Sequence, residues 1–293
     1  MRIRDPIVAG RFYPAEPERC RRELLELLES STPASPDGSI PKRIVAGLVP
    51  HAGWTFSGGV AARVFRTIAT STSPQVLILI GGVHRYRGRQ AAMFGAGRWI
   101  TPLGPVDIDA RLCERILGHT NLIVDDPYAH EDEHSLEVQM PFVKHLFPQA
   151  KVVPIMVPPV KTAPEVGQAV ARTLSAYNYD AVIIGTTDLT HYGPTYGFTP
   201  KGIGAEGNHW AKENDRRFID LICDVRSTEL VAEAAKNKNA CNAGAAAATV
   251  AAAVDLGATR GILLEHTTSS EVLSLHSRSV QNDSVGYAAV VFG

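Results

Sequence analysis

The chain has 293 residues, 45% hydrophobic and 20% charged, a globular composition that excludes a disordered polyelectrolyte. Its 29 basic and 30 acidic side chains leave a formal net charge of −1, so no general attraction draws it to nucleic-acid phosphates or to anionic lipid. The most apolar uncharged run, 240–254, is alanine-rich and shorter than the ~18 residues of a spanning helix, and residues 1–14 lack a secretory apolar stretch, which together predict a cytoplasmic protein.

In chain order, helical spacing of apolar residues predicts a first helix over 16–30, followed by a Ser-, Pro- and Gly-rich surface connection over 31–41. Short apolar runs then predict strands over 44–49, 76–80, 152–157, 181–184, 261–264 and 287–292. Between them lie predicted helices over 58–69, 108–117, 135–147, 164–177, 208–223 and 242–256. Several strands are continuously hydrophobic, as strands covered on both faces are. The alternation predicts one α/β domain over 1–293, a three-layer α/β/α architecture around a central mostly parallel or mixed sheet. Ligands then belong beyond the carboxyl ends of the strands.

Three histidines stand where a predicted strand runs out: His51 in VPHAGW, His84 in LILIGGVHRY and His191 in AVIIGTTDLTHYG. A single histidine there is more often hydrogen-bonded to backbone, but three in equivalent places point to one shared site. Neutral imidazole ligates Zn, Cu, Fe and Ni. Gly53 and the Ser57-Gly58-Gly59 run let a ligand approach a helix start, yet neither Walker spacing nor GxGxxG is present, and tight turns account for these glycines. Asp188, three residues before His191, is placed to orient it as a general acid or base, with a helix cap as the plainer alternative.

The segment from His130 to Glu137 is the densest cluster of potential ligands, but it does not match HExxH, and capping by Ser135 explains part of it. Glu133 and His134 are expected to line the pocket or support it rather than to bind metal directly. Of the four cysteines, Cys20, Cys113, Cys223 and Cys241, no two form CxxC, so neither a disulfide framework nor a zinc ribbon is indicated. Cys241 precedes an Ala-rich predicted helix, whose N-terminus lowers a thiol pKa and makes a nucleophile or a soft ligand.

These stretches together resemble the Memo family, over nearly the full length: VAGRFYP (8–14), VPHAGWTFSGGVAA (49–62), TPLGPVDID (101–109), HEDEHSLEVQMPF (130–142), VVPIMV (152–157), TTDLTHYG (186–193), Cys241 and SVGYAAVVF (284–292). The resemblance implies a fold related to class III extradiol ring-cleavage dioxygenases. By motif, it implies His51, His84 and Cys241 as metal ligands and His191 as the acid-base histidine. A thiolate in place of a carboxylate softens the donor set, so the implied cofactor is a divalent or redox metal, Fe(II) first with Cu or Zn as alternates. Gly82-Val83-His84-Arg85-Tyr86 and Cys241-Asn242 depart from the family's GPSHH-like turn and Cys-Gly pair, altering the pocket wall.

The leading expectation is a metal-dependent oxidoreductase of extradiol-dioxygenase type acting on an oxygen-rich aromatic. One alternative is a non-enzymatic metal- or peptide-binding protein of redox or signalling type, in which Phe12, Tyr13, Trp54 and Tyr86 serve as recognition aromatics. The other is a Cys-His thiol hydrolase, with Cys241 as nucleophile and His191 as base. A small molecule or peptide is the expected partner, not nucleic acid or membrane.

Overall fold

The computed structural model describes residues 2–31, 40–86, 88–275 and 281–293. Most of the predicted connection over 31–41, namely 32–39, lies outside the described residues. The first half runs β1 (Ile3–Arg4), α1 (Pro17–Ser30), β2 (Ala46–Val49), α2 (Trp54–Ser71), β3 (Val76–Gly81), β4 (Ala91–Met93), β5 (Arg98–Thr101), β6 (Gly104–Asp107), α3 (Ala110–His119) and β7 (Ile123–Asp125). The second runs α4 (Met140–Leu146), β8 (Lys151–Met156), α5 (Ala163–Ala176), β9 (Ala181–Thr186), β10 (His191–Tyr192), α6 (Ala205–Cys223), α7 (Ser227–Asn237), α8 (Ala243–Asp255), β11 (Gly261–Thr268), α9 (Ser269–Ser274) and β12 (Ser284–Phe292).

The main sheet has the order β10-β12-β2-β9-β3-β8-β4-β7, with β11 also paired to β12, while β1, β5 and β6 form a separate small sheet. Strands β2, β9, β3 and β8 are mutually parallel, whereas β12 and β4 join them antiparallel, so the sheet is mixed. Every residue of β2 and β3 is buried, which is why both read as unbroken apolar runs rather than as alternations.

Helices α2 and α8 cover β2 from opposite faces, giving the expected three layers. The approach is close on both sides. At Gly47 of β2 an added Cβ would lie 2.6 Å from Val64 Cγ1 of α2, and at Gly185 of β9 it would run into the Thr249 side chain of α8. Helix α8 is wedged between the sheet and α5, and Gly167 of α5 leaves no room for a Cβ against the Ala248 backbone. All of 243–253 is buried. The alanines therefore combine high helix propensity with the small volume that a helix enclosed on several sides requires.

One expected element changes. The helix expected over 135–147 is instead a 3-10 turn, Glu137–Gln139, followed by α4, because Pro141 has no N–H for the Glu137 carbonyl and an α-helix continuing through it would lose that bond. Pro141 falls in the first turn of α4, where its missing N–H costs nothing. The short strands β4 to β7 and helix α7 carry too few residues, or too weak a pattern, for periodicity to reveal them.

Candidate metal centre

Because β2, β9 and β3 are adjacent and parallel, their carboxyl ends deliver His51, the 187–191 loop and His84 to one edge of the sheet, the position where α/β folds collect ligand groups. His51 is 1% exposed. Its backbone N donates to Asp188 Oδ1 at 2.7 Å, its Nδ1 lies 3.1 Å from Thr186 Oγ1, and its Nε2 lies 3.3 Å from Cys241 Sγ. The His84 Nδ1 lies 3.0 Å from both Glu133 oxygens, and the His84 backbone N donates to Glu133 Oε2 at 2.9 Å. An ionised carboxylate on Nδ1 keeps that nitrogen protonated and leaves Nε2 as the ligating atom.

His134 completes the cluster. Its ring stacks on His84 at 4.7 Å and meets His51 edge-on at 5.7 Å. One ligand atom from each of His51, His84 and His134 lies within 4.8 Å of the others, and the same holds for His51, Asp188 and Cys241. His134, expected only to line or support the pocket, thus stands among the candidate donors, and Glu133 takes the supporting place behind His84.

Burial sets the protonation pattern. Desolvation, assisted by the charges of His84 and His134, lowers His51 to about 4, so it is a neutral imidazole at neutral pH. Desolvation also lowers His134, again with His84 assisting. At His84 desolvation is outweighed by the hydrogen bond and charge of Glu133, and the net shift is upward. Glu133 is correspondingly held below the usual carboxylate range, its burial overcome by His84 and by the amides of Ser135 and His84. Desolvation and then the Asp188 carboxylate push the Cys241 thiol well up, against hydrogen bonds from the Asp188 amide and Thr187. This corrects the expected lowering by the helix terminus: the first amide of that turn, Asn242 N, donates to Thr187 Oγ1 instead.

Asp188 also differs from expectation. It was expected to orient His191, but its Oδ1 accepts from His51 N, while His191 Nδ1 lies 3.1 Å from Leu189 O and its ring meets Tyr196 edge-on at 5.0 Å. Both residues nevertheless line one cavity of about 550 Å³ with the three histidines. Arg11, Phe12, Phe56, Tyr196 and Tyr287 contribute to its walls.

Trp54 and Tyr86 are not among the lining residues. Trp54 is 2% exposed, donates from Nε1 to Val138 O at 3.1 Å, and packs between Tyr13 and Phe142. Two positions along a helix turn the side chain by roughly 200°, so it is Phe56, not Trp54, that faces the cavity. Burial and Asp126 raise the Tyr86 hydroxyl, which places Tyr86 near Asp126.

Two supporting networks lay beyond sequence reasoning. Arg4 donates to the carbonyls of His130 and Glu133 at 3.0 and 2.6 Å, pairs with Glu137 at 2.9 Å, and stacks 4.1 Å over Trp99. Glu137 also accepts from Ile7 N, Val8 N and Tyr13 Oη. It is an anchor for the N-terminal segment rather than a ligand.

On the other side, Asp215 Oδ1 accepts from Thr190 N at 2.8 Å and its Oδ2 lies 3.0 Å from His266 Nε2. Asn214 donates to Thr190 Oγ1 and to Asn237 O, and Asn239 donates to Asn214 O. With its amide turned so that oxygen faces Gly82 N, Asn242 accepts there at 3.2 Å and donates to Cys241 O at 3.1 Å. The departure from Cys-Gly therefore ties the turn before His84 to Cys241. No local pattern announces Asp215 or His266, since each acquires its role from a distant partner.

Known proteins support this arrangement at the level of family and fold. The sequence profile of the Memo-like protein family matches residues 4–291. A MEMO1 family protein of Methanopyrus kandleri is 34% identical, covering 99% of this chain and 98% of its own. One from Thermococcus kodakarensis is 35% identical with 99% of each chain covered. The crystal structure of an uncharacterised protein from Escherichia coli K12 superposes with a TM-score of 0.51 at 11% identity, over 86% of this chain and 100% of that one, a likeness of fold alone. Among the described residues no helix is long and apolar enough to cross a membrane.

Proposed function

The chain belongs to the Memo-like family, and on that premise we propose that it is a metal-dependent oxidoreductase of extradiol-dioxygenase type acting on a small oxygen-rich aromatic. The observation that carries the proposal is the convergence of His51, His84 and His134 within 4.8 Å at the floor of a cavity that also holds His191. The donors suit a metal: His51 is kept neutral by burial, His84 is aligned by Glu133, and one sulfur adds softness without excluding Fe(II), Cu or Zn. His51 and His84 would hold the ion, with Cys241 as the third donor that the family resemblance implies and His134 as an additional imidazole.

A metal held by these residues would supply Lewis acidity toward a ring diol and redox capacity toward dioxygen. The protein's own part is positioning and proton transfer. Phe12, Phe56 and Tyr287 supply aromatic surface that holds a ring and displaces water from it. His191, with Nδ1 directed at Leu189 O, presents Nε2 to the cavity as the base that takes a proton from a ring hydroxyl and later returns it. Burial and Asp188 keep the Tyr287 hydroxyl protonated, so it acts as a hydrogen-bond donor at any physiological pH.

The thiol-hydrolase alternative is disfavoured by the same geometry. The imidazole beside Cys241 Sγ is His51 rather than His191, and the thiol is pushed up rather than down. Anaerobic Fe(II) titration followed by oxygen uptake with catechols tests the reading. Wild type is expected to bind one ion, and His51→Ala and His84→Ala to abolish binding. Cys241→Glu should retain an ion and move preference toward Fe(II) or Mn(II), a change that a nucleophile would not show. Unaltered metal binding in both histidine variants would overturn the site, whereas metal uptake without oxygen consumption would favour the binding-protein alternative.

A further inference from the structure

We propose that the groove between α1 and α9, floored by α2, docks a basic amphipathic helix of a partner protein. The groove has a volume of about 760 Å³ and shares only Phe56 with the described lining of the metal cavity, so the proposal stands apart from the metal-centre reading. Two helices wall it and a third floors it, a trough in which a fourth helix lies with its side chains interleaved.

The walls follow from helical spacing. On α1, Cys20, Leu24 and Leu28 form the buried stripe, and the neighbouring stripe, Glu23, Glu26, Leu27 and Ser30, faces the groove. Val272 of α9 and Leu275, three residues further on, also line it, and Leu275 is 82% exposed. Leu27 and Val272 are only half-buried. These three side chains leave apolar surface open to solvent, of the kind that the apolar stripe of a partner helix covers.

The floor holds a glycine that the fold does not require. Glycine is the poorest helix former apart from proline, and α2 has two in its interior, Gly58 and Gly59. At Gly58 a Cβ would lie 2.8 Å from Leu27 Cδ1 and 3.0 Å from Trp54 Cβ, so a side chain is excluded there. At Gly59 no described atom lies within 4 Å of the Cβ position, and the residue lines the groove. A helix packed closely on α2 accounts for that glycine, because a missing side chain lets two backbones approach.

The charge of the groove selects a cationic partner. Four carboxylates and one guanidinium line it. Glu265 pairs with Arg63 and Glu271 with Lys212, while Glu23 and Glu26 are in no ion pair among the described residues. Arg19, Arg21 and Arg22 of α1 are not in the described lining. Burial, opposed by Arg19 and reinforced by Glu26, raises the Glu23 carboxyl, as befits a negative charge short of a counter-ion. Lysine or arginine beside the partner's apolar stripe supplies that counter-ion, and an acidic helix is repelled.

Fluorescence anisotropy of the full chain with a labelled helical peptide of about 15 residues, leucine at i, i+3, i+4 and i+7 with lysine alongside, tests the docking. Saturable binding is expected, about tenfold tighter or better than for the counterpart with glutamate in place of lysine. Gly59→Phe, which fills the groove from a position with no neighbour to disturb, should weaken binding about tenfold or more. The double variant Glu23→Gln and Glu26→Gln should weaken it severalfold and flatten its salt dependence. Neither glutamate is buried, so this variant decides the matter if Gly59→Phe misfolds. No saturable binding of the lysine peptide, equal binding of the glutamate peptide, or binding unchanged in the glutamine variant or in a folded Gly59→Phe would overturn the proposal. So would a wild-type chain that sediments as a dimer and a Gly59→Phe chain that sediments as a monomer, which would assign the groove to a second copy.

Discussion

His51 is flanked by two walls that are built from different chemistry. The His84–His134 side hangs on ionised groups: Glu133 aligns His84, and the buried Arg4–Glu137 pair, 5% and 2% exposed at the side chains, ties the segment carrying Glu133 and His134 to the N-terminus. The Asp188–Cys241 side hangs mainly on amides and hydroxyls, with Asn214, Asn239, Asn242, Thr187 and Thr190 supplying the links, and its two buried carboxylates, Asp188 and Asp215, each accept from a backbone amide. A charged network is strong only while complete, because losing one member leaves the other ion desolvated and unpaired. A neutral network loses one modest bond at a time.

The sharpest way to break this comparison is to remove Arg4. Arg4→Ala should destabilise the protein by about 3–5 kcal/mol in urea unfolding, since Glu137 is left buried without a counter-ion. Replacing both members of the pair with apolar residues of similar volume should recover much of that loss. A cost of Arg4→Ala comparable to that of a surface substitution would show that the charged wall is not what holds the His134 segment.

The neutral wall should respond less in stability and more in function. Asn214→Ala removes the bonds to Thr190 Oγ1 and Asn237 O and is expected to cost about 1–2 kcal/mol, while weakening metal binding in the titration described above by loosening the loops that carry Asp188 and Cys241. A variant with lower stability but unchanged metal affinity would limit this network to a structural role.

Acid should separate the walls without any mutation. Glu133 is held below its ordinary value, so its contribution is present above the unfolded carboxylate value and is lost as pH falls through the folded one. His130, lowered to about 3 by burial and then by Arg4, stays neutral in the fold while the unfolded chain takes up a proton below its ordinary 6.5; stability therefore falls with pH from 6.5 toward 3. Asp215 is raised by burial against the opposing bonds of His266 and Thr190, so the folded state binds its proton first and gains stability as pH falls through that range. In the metal-free protein, hydrogen-exchange protection should accordingly decline first over 130–137, and only later over 187–191. The reverse order would contradict the assignment of charge to the two walls. The smallest effect belongs to Tyr86→Phe: with Tyr86 outside the lining residues, stability should change by less than about 0.5 kcal/mol and metal affinity not at all.

How much of this was legible beforehand depended on whether a residue's role was local. His51 and His84 stood out because a continuous apolar run followed by a break marks a buried strand and its end, and a polar group at such an end has one place to go. Cys241 was placed at a helix start correctly, since α8 begins at Ala243, but its protonation was not, because desolvation and Asp188 are properties of the surroundings. Trp54 looked like a pocket residue until the face of α2 that carries it turned out to be the core.

By itself, the amino-acid order determined the alternation of strands and helices, the Ala-rich helix and the strand-end positions of His51 and His84, all features encoded in periodicity or in the end of a run. Only the tertiary structure decided that His134 joins them, that Asp188 serves His51 instead of His191, and that Arg4, Glu137, Asp215 and His266 brace the site. The physical reason is that a hydrogen bond or ion pair joins residues far apart in the chain through the fold. Arg4 and Glu137 lie 133 positions apart, and Asp215 and His266 lie 51 apart. A pairing across such distances leaves no period for a sequence to carry.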